Sequence, residues 1–128
     1  MSADLKFAKT HEWVRTDQAG MAIVGISAYA VEALTDLVFM QLPVVGKKVK
    51  AGESIGEIES VKAVSDLYAP VSGEIVEVNT TLPGQLEMLG KDPYGGGWIV
   101  KIRPDNPAEL GGLLDAAAYD ALVKSQPH

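Results

Sequence analysis

The chain has 128 residues, the usual size of one domain, and can bury roughly two-thirds of the surface that its unfolded form exposes. Its 11 basic and 17 acidic residues leave a net charge of −6, which opposes contact with a phosphate backbone, so no nucleic-acid partner is expected. Cysteine is absent, which excludes disulfides and thiolate chemistry by the protein itself; any sulfur redox chemistry has to arrive on a cofactor. No apolar run reaches the roughly 18 residues that span a bilayer, and Met1 to Asp4 open neither a signal peptide nor an Arg-rich transit segment. A single cytoplasmic domain over residues 1–128, with its core at about 7–123 and no membrane attachment, is the expectation.

Phe7 to Arg15 reads as extended structure, and Met21 to Ile26 as its hairpin partner across the turn residues Thr16 to Gly20. His11 invites a metal reading, but a metal site needs several convergent ligands and the second histidine is His128 at the far end of the chain, so no metal is expected. Ser27 suits the N-cap of a short helix over Ala28 to Leu34, which Thr35-Asp36 ends. Leu37 to Leu42 is a mostly apolar run bounded by Pro43, and its composition predicts a buried strand belonging to the core.

Two segments then share proline, valine, glycine and valine at an offset of 27 residues: Pro43-Val44-Val45-Gly46 through Val49, and Pro70-Val71-Ser72-Gly73 through Val76. Proline presets φ and glycine permits φ > 0, so each copy is expected to form a turn that launches a strand. Between them lies Ile58-Glu59-Ser60-Val61-Lys62-Ala63-Val64-Ser65-Asp66-Leu67. Ser54 to Glu59 leads up to it as a half-buried strand, with Glu57 and Glu59 on the exposed face, and Lys62 falls where a hairpin turns. A hairpin tip projects its side chain into solvent, where a second protein can reach it. A lysine there can simply solvate the turn, as any of the nine lysines of this chain can.

Thr80 to Gly90 reads as a turn-rich excursion, followed by Lys91-Asp92-Pro93-Tyr94-Gly95-Gly96-Gly97-Trp98 and a strand at Ile99 to Arg103. The three glycines lack the Gly-Lys-Ser/Thr ending and following helix of a phosphate-binding loop. Asn106 as N-cap, Pro107 at the first helical position and Glu109 three residues after the cap predict a brief helix weakened by Gly111-Gly112. Asp115 then caps a second helix over Ala116 to Lys124, and Ser125 to His128 are expected to fray. No Ser-His-Asp arrangement, metal-ligand cluster or paired active-site carboxylates emerge, so the pattern gives no support to an enzyme.

Glu59-Ser60-Val61-Lys62-Ala63 resembles the modified-lysine turn of lipoyl carrier domains. Biotin carriers use a similar turn with methionine on both sides of the lysine, whereas Val61 and Ala63 stand here. Taken with His-Glu-Trp-Val at 11 to 14, Val-Gly-Ile-Ser-Ala-Tyr-Ala at 24 to 30, Asp-Pro-Tyr-Gly at 92 to 95 and the C-terminal helices, the chain resembles the glycine cleavage H-protein family from about Phe7 to about Val123. Gly90 and Gly96 depart from it, standing where the family often has asparagine and an acidic residue.

The resemblance implies a mainly β fold, a flattened barrel-sandwich hybrid of the lipoyl/biotinyl hammerhead kind, with a short helix in the N-terminal half and two C-terminal helices. It implies a carrier without catalytic residues, bearing lipoate in amide linkage on Lys62. Such a carrier takes the aminomethyl group of glycine from a pyridoxal-phosphate glycine decarboxylase to a tetrahydrofolate-dependent aminomethyltransferase and is reoxidised by dihydrolipoyl dehydrogenase. Glu59 resembles the acid by which lipoylating enzymes recognise the turn, and Gly46 the glycine of an adjacent loop; as a charge on a strand surface, Glu59 needs no such role. Thr10, Glu12 and Asp66 lie in motifs that resemble those lining the family's cleft for the loaded arm; without that cleft, Glu12 is an exposed strand charge and Asp66 an offset to Lys62. A lipoyl carrier that relays lipoate to other enzymes and a biotinyl carboxyl carrier are the alternatives.

Overall fold

A computed structural model describes residues 5–125, so the expectations for Met1 to Asp4, for His128 and for most of the tail lie outside the described residues. Among the described residues, ten strands form two antiparallel sheets. The larger runs β10 (Leu114–Asp115), β1 (Lys6–Phe7), β2 (Glu12–Thr16), β3 (Ala22–Ile26), β9 (Val100–Pro104), β8 (Gly73–Val78), β5 (Lys48–Val49) in spatial order. The smaller runs β4 (Leu37–Gln41), β6 (Ser54–Ser60), β7 (Val64–Tyr68). The architecture is mainly β, as expected, with two facing sheets and no closed barrel.

The β2–β3 hairpin pairs Glu12 with Ile26 through to Thr16 with Ala22. Its turn is fixed by Asp17, whose Oδ1 accepts from the backbone N–H groups of Ala19 and Met21, and by Gly20 at φ +84°. All five residues of β3 are buried because both faces of this part of the sheet are covered. Ala22, Val24 and Ile26 meet Ile58, Leu67, Ile75 and Ile102 in the core between the sheets. Ile23 belongs instead to a second cluster with Leu5, Phe7, Trp13 and Tyr119. Gly25 sits opposite Trp13, and a Cβ there would lie 2.6 Å from the indole Nε1, so the ring occupies the space that the missing side chain leaves.

The single extended segment expected over Phe7 to Arg15 is broken in two. Between β1 and β2 the chain turns through Ala8 to His11, with His11 N–H donating to the Ala8 carbonyl and His11 itself at φ +81°. Leu37 to Gln41 does form a strand, but at the edge of the smaller sheet, where only Met40 is buried and Val38 and Phe39 are 56% and 49% exposed. An apolar run does not encode whether both faces will be covered, and an outer strand has one face in water.

The two proline-glycine copies pair with each other, Gly46 N–H donating to the Ile75 carbonyl and Lys48 lying opposite Glu74. Their glycines serve different ends. Gly46 takes the turn conformation expected of it, at φ +92°, whereas Gly73 lies within β8 and is demanded by packing, since a Cβ there would be 2.1 Å from the Arg103 carbonyl oxygen. In the excursion after β8, a 3-10 turn at Leu82–Gly84 and the one-turn helix α2 (Met88–Lys91) insert the buried side chains of Leu82 and Leu89.

Helix α1 (Ala28–Leu34) starts and ends where expected, with Ser27 Oγ accepting from Ala30 N–H and Thr35 N–H closing onto Val31. Of the two C-terminal helices, the first is a 3-10 segment at Pro107–Gly112. Asn106 caps it, but Glu109 does not reach back to the cap; its carboxylate accepts from Ser72 N–H and Ser72 Oγ–H and ties the segment to the residue that precedes β8. The second, α3 (Ala116–Ser125), is capped by Asp115 and lays Tyr119 against the larger sheet, its ring stacked on Phe7 at 4.2 Å.

Candidate functional site

Strands β6 and β7 form a hairpin whose last pair is Glu59 with Val64, so Val61 and Lys62 occupy its tip and are exposed. The tip is held from below by Ser60, which is nearly buried. Its Oγ accepts from the N–H groups of Lys62 and Ala63 and donates to the Ala63 carbonyl, while Ser60 N–H also donates to that carbonyl. Val61 N–H reaches across to the Asp36 carbonyl at the start of the smaller sheet's edge strand. The backbone on either side of the lysine is thus hydrogen-bonded, while its side chain stands in solvent. In the sequence Ser60 reads only as one member of the lysine motif, although a serine two residues before a turn tip is a recognised device for bonding the backbone ahead of it.

A cleft of about 250 Å³ lies on the same side of the molecule, between the start of β2, helix α1 and the β6–β7 hairpin. Ile26, Tyr29, Leu34 and Ile58 supply its apolar wall, and Thr10, Glu12 and Asp66 all line it. Thr10 and Glu12 from one motif and Asp66 from another come together because Glu12, at the start of β2, reaches the backbone of β7: Tyr68 N–H donates to Glu12 Oε2 at 3.2 Å, and the Tyr68 hydroxyl donates to Asp66 Oδ2 at 3.3 Å. Thr10 donates its hydroxyl proton to Glu12 Oε1.

Glu12 is not the exposed strand charge that its sequence context allows; it is 1% exposed. Burial pushes its carboxyl up from the usual value of 4.5 to about 7, against the opposing hydrogen bonds from Thr10 and from Tyr68 N–H. Asp66 stays exposed at the rim, and its charge is the main reason that the Tyr68 phenol is raised. His11 lines the cleft as well, with its ring 5.0 Å from that of Tyr29, and burial lowers its pKa. No group of three or more His, Cys, Asp or Glu able to hold a metal occurs among the described residues.

Glu59 is half-buried at the end of β6, beside the lysine turn. Gly46 is not in a loop adjacent to it. Strand β4 runs from Leu37, opposite Ser60, to Gln41, opposite Glu57, which carries the chain away from the tip before Gly46 is reached.

Asp66 is four residues beyond Lys62, at most roughly 13 Å along the chain at the strand rise, which an extended lysine bearing a lipoyl group can span. An apolar wall with one buried acid suits a hydrocarbon arm that ends in a cation, so the residues present fit that group.

A sequence model of the family described as Glycine cleavage H-protein matches residues 5–126. The chain belongs to this family. It is 55% identical to the glycine cleavage system H protein of Symbiobacterium thermophilum over 122 residues, covering 95% of this chain and 94% of that one. Identity to the H protein of Escherichia coli O7:K1 is 52% over 124 residues, covering 97% and 96%. The crystal structure of a glycine cleavage system H protein from Mycobacterium marinum superposes with a TM-score of 0.85 at 46% identity, covering 94% of this chain and 97% of that one. The family's role is that of H protein in glycine cleavage, and no helix of the described residues is long and apolar enough to cross a membrane.

In the loop that carries Gly96, Asp92 Oδ2 accepts from Gly96 N–H, while Trp13 Nε1–H and one Arg15 N–H donate to the carbonyls of Pro93 and Tyr94. The glycines there belong to a fixed structure rather than a spacer. A Cβ on Gly96 would lie 3.0 Å from Met88 Sδ, the end of a flexible side chain, and one on Gly90 would meet nothing within 4 Å, so packing does not demand glycine at either position.

Proposed function

We propose that this chain is a single-domain carrier without catalytic residues of its own, with lipoate attached through an amide to Lys62. The observation that carries the proposal is the placement of an exposed lysine on a hydrogen-bonded hairpin tip, within reach of a cleft whose wall is apolar and whose one buried acid is Glu12. A lipoyl group supplies the disulfide that takes up the aminomethyl group of glycine. Lys62 tethers it, which replaces diffusive capture by an intramolecular search at an effective concentration that can reach about millimolar. Amide formation also removes the Lys62 charge and moves the net charge from −6 to −7.

Glu12 accepts a hydrogen bond from the ammonium of the cargo, a charge-assisted contact about twice as strong as a neutral one, and Thr10 holds that carboxylate in place. Asp66 adds a second negative charge at the rim. In this reading the cleft keeps the cargo from water while the carrier passes between a pyridoxal-phosphate glycine decarboxylase and a tetrahydrofolate-dependent aminomethyltransferase in the cytoplasm. Dihydrolipoyl dehydrogenase then restores the disulfide. Lipoylating enzymes read Glu59 next to the turn, and Gly46 enters recognition only through the remote turn that it shapes.

Mass measurement of the peptide containing Lys62, after expression with lipoate supplied, tests the attachment. The lipoyl increment on that peptide is expected. A biotinyl increment, or lipoate on another lysine, would overturn the proposal.

A further inference from the structure

The cleft wall holds a group that the carrier chemistry above does not use. His11 Nδ1 is 2.8 Å from the Tyr119 hydroxyl, which is 2.6 Å from Ser27 Oγ, and Ser27 Oγ also accepts from Ala30 N–H at 3.2 Å. Ser27 is fully buried, and Tyr119 is 4% exposed. This line of hydrogen bonds joins the C-terminal helix α3 to the first turn of α1 and to the wall of the cleft.

Its proton order can be worked out by counting. Ser27 Oγ already accepts one bond, so its own proton is best placed on the Tyr119 oxygen, and the Tyr119 proton then goes to His11 Nδ1. The opposite order would have Ser27 accept twice and leave its proton without an acceptor among the described residues, at a site with no exposure to water. With Nδ1 as acceptor, the ring carries its single proton on Nε2 and is neutral. To become a cation His11 would have to donate from Nδ1 and reverse the whole line.

Two further facts make this matter to the cleft. His11 directly precedes Glu12, and an imidazolium there would compete with a bound ammonium for the carboxylate that Glu12 offers. His11 also holds φ +81°, a conformation that favours glycine, and its carbonyl accepts from Ser27 N–H, so the ring contact with Tyr119 helps to fix the turn that sets Thr10 against Glu12.

We infer that Tyr119 and Ser27 are positioning residues that act through His11: they hold its imidazole as the neutral Nε2–H tautomer, and so leave Glu12 free of a competing cation. The titratable groups around His11 are Glu12, which follows it at the start of β2, Tyr29 from α1 and Tyr119 from α3, with Asp66 of β7 lining the same cleft. Burial raises the Tyr119 phenol to about 12, so it remains a proton donor across the working range. The inference rests on the ammonium-holding role proposed for Glu12, but its first test does not.

That test is nitrogen NMR of the imidazole in the unmodified protein, with His11→Gln used to assign the signals. An unprotonated Nδ1 and a protonated Nε2 are expected in the wild type; a proton on Nδ1 overturns the inference whatever any variant does. Tyr119→Phe keeps the ring that stacks on Phe7 and removes only the hydroxyl. In that variant the tautomers should mix and His11 should titrate at higher pH; an unchanged tautomer and titration would refute the relay. In the second arm, Tyr119→Phe carrying cargo is expected to release ammonia roughly fivefold faster than wild type, the factor that corresponds to one lost hydrogen bond. Equal release would refute the link from His11 to Glu12. If Lys62 carries no lipoate, neither protein loads at all, an outcome that sinks the carrier reading while the NMR result stands.

Discussion

Glu12→Gln should make the protein more stable and a poorer shelter for its cargo. In the native state Glu12 is 1% exposed and its carboxyl is raised from 4.5 to about 7, so the folded form binds a proton more tightly than the unfolded form does. For an acid raised on folding, the sign is fixed: below the unfolded pKa there is no penalty, and stability is lost as pH rises from there through the folded pKa. A difference of this size corresponds to about 3 kcal/mol at pH values above 7. Glutamine removes the charge and keeps the shape. Its oxygen can still accept from Tyr68 N–H, and its amide can donate to Thr10 Oγ1, so neither partner need be left unpaired. The advantage of the variant over wild type should therefore grow by about 3 kcal/mol between about pH 4 and pH 8, read from urea unfolding at both. Once loaded, the same variant should release ammonia faster, because the charge-assisted contact is gone. A variant whose stability relative to wild type does not rise with pH would refute the claim that a buried charge is held in this cleft against the preference of the fold.

Ser60→Ala should loosen the hairpin tip by about 1 kcal/mol, since Lys62 N–H and Ala63 N–H lose their acceptor; faster amide exchange at 61–63 and slower lipoylation would show it. Gly25→Ala should destabilise by about 1–3 kcal/mol or more in thermal or urea unfolding, because the new Cβ would meet the Trp13 indole at 2.6 Å on a fully covered strand. Glu59→Lys should slow lipoylation, followed by the mass of the Lys62 peptide, while leaving stability within about 0.5 kcal/mol of wild type.

Features set by local chemistry were legible in the sequence. Asp17 and Gly20 form the β2–β3 turn, Ser27 and Asp115 cap their helices, and Lys62 stands at a hairpin tip, because each depends on residues a few positions apart. What depended on the far side of the fold was not. Nothing near His11 announces its positive φ, which is supported by Tyr119 from 108 positions away. The burial of Glu12 follows from the approach of β7, whose Tyr68 N–H it accepts, and an acid next to a tryptophan in a strand reads as a surface residue until that approach is seen. Leu37 to Gln41 misled in the opposite direction, since apolar composition states a preference for burial and the edge of the smaller sheet did not meet it at Val38 and Phe39. Asp66 lies too far from Thr10 and Glu12 in the chain for spacing to join them, and the meeting of all three in one cleft is a property of the folded chain.

The central claim is that the chain works through one lysine. Glycine-dependent reduction of dihydrolipoyl dehydrogenase, reconstituted with the decarboxylase and the aminomethyltransferase, should proceed with the lipoylated wild type and be absent with Lys62→Ala. Lys62 is exposed, so the variant should unfold within about 0.5 kcal/mol of wild type and the loss cannot be laid to misfolding. Glycine-dependent reduction sustained by the alanine variant would contradict the account.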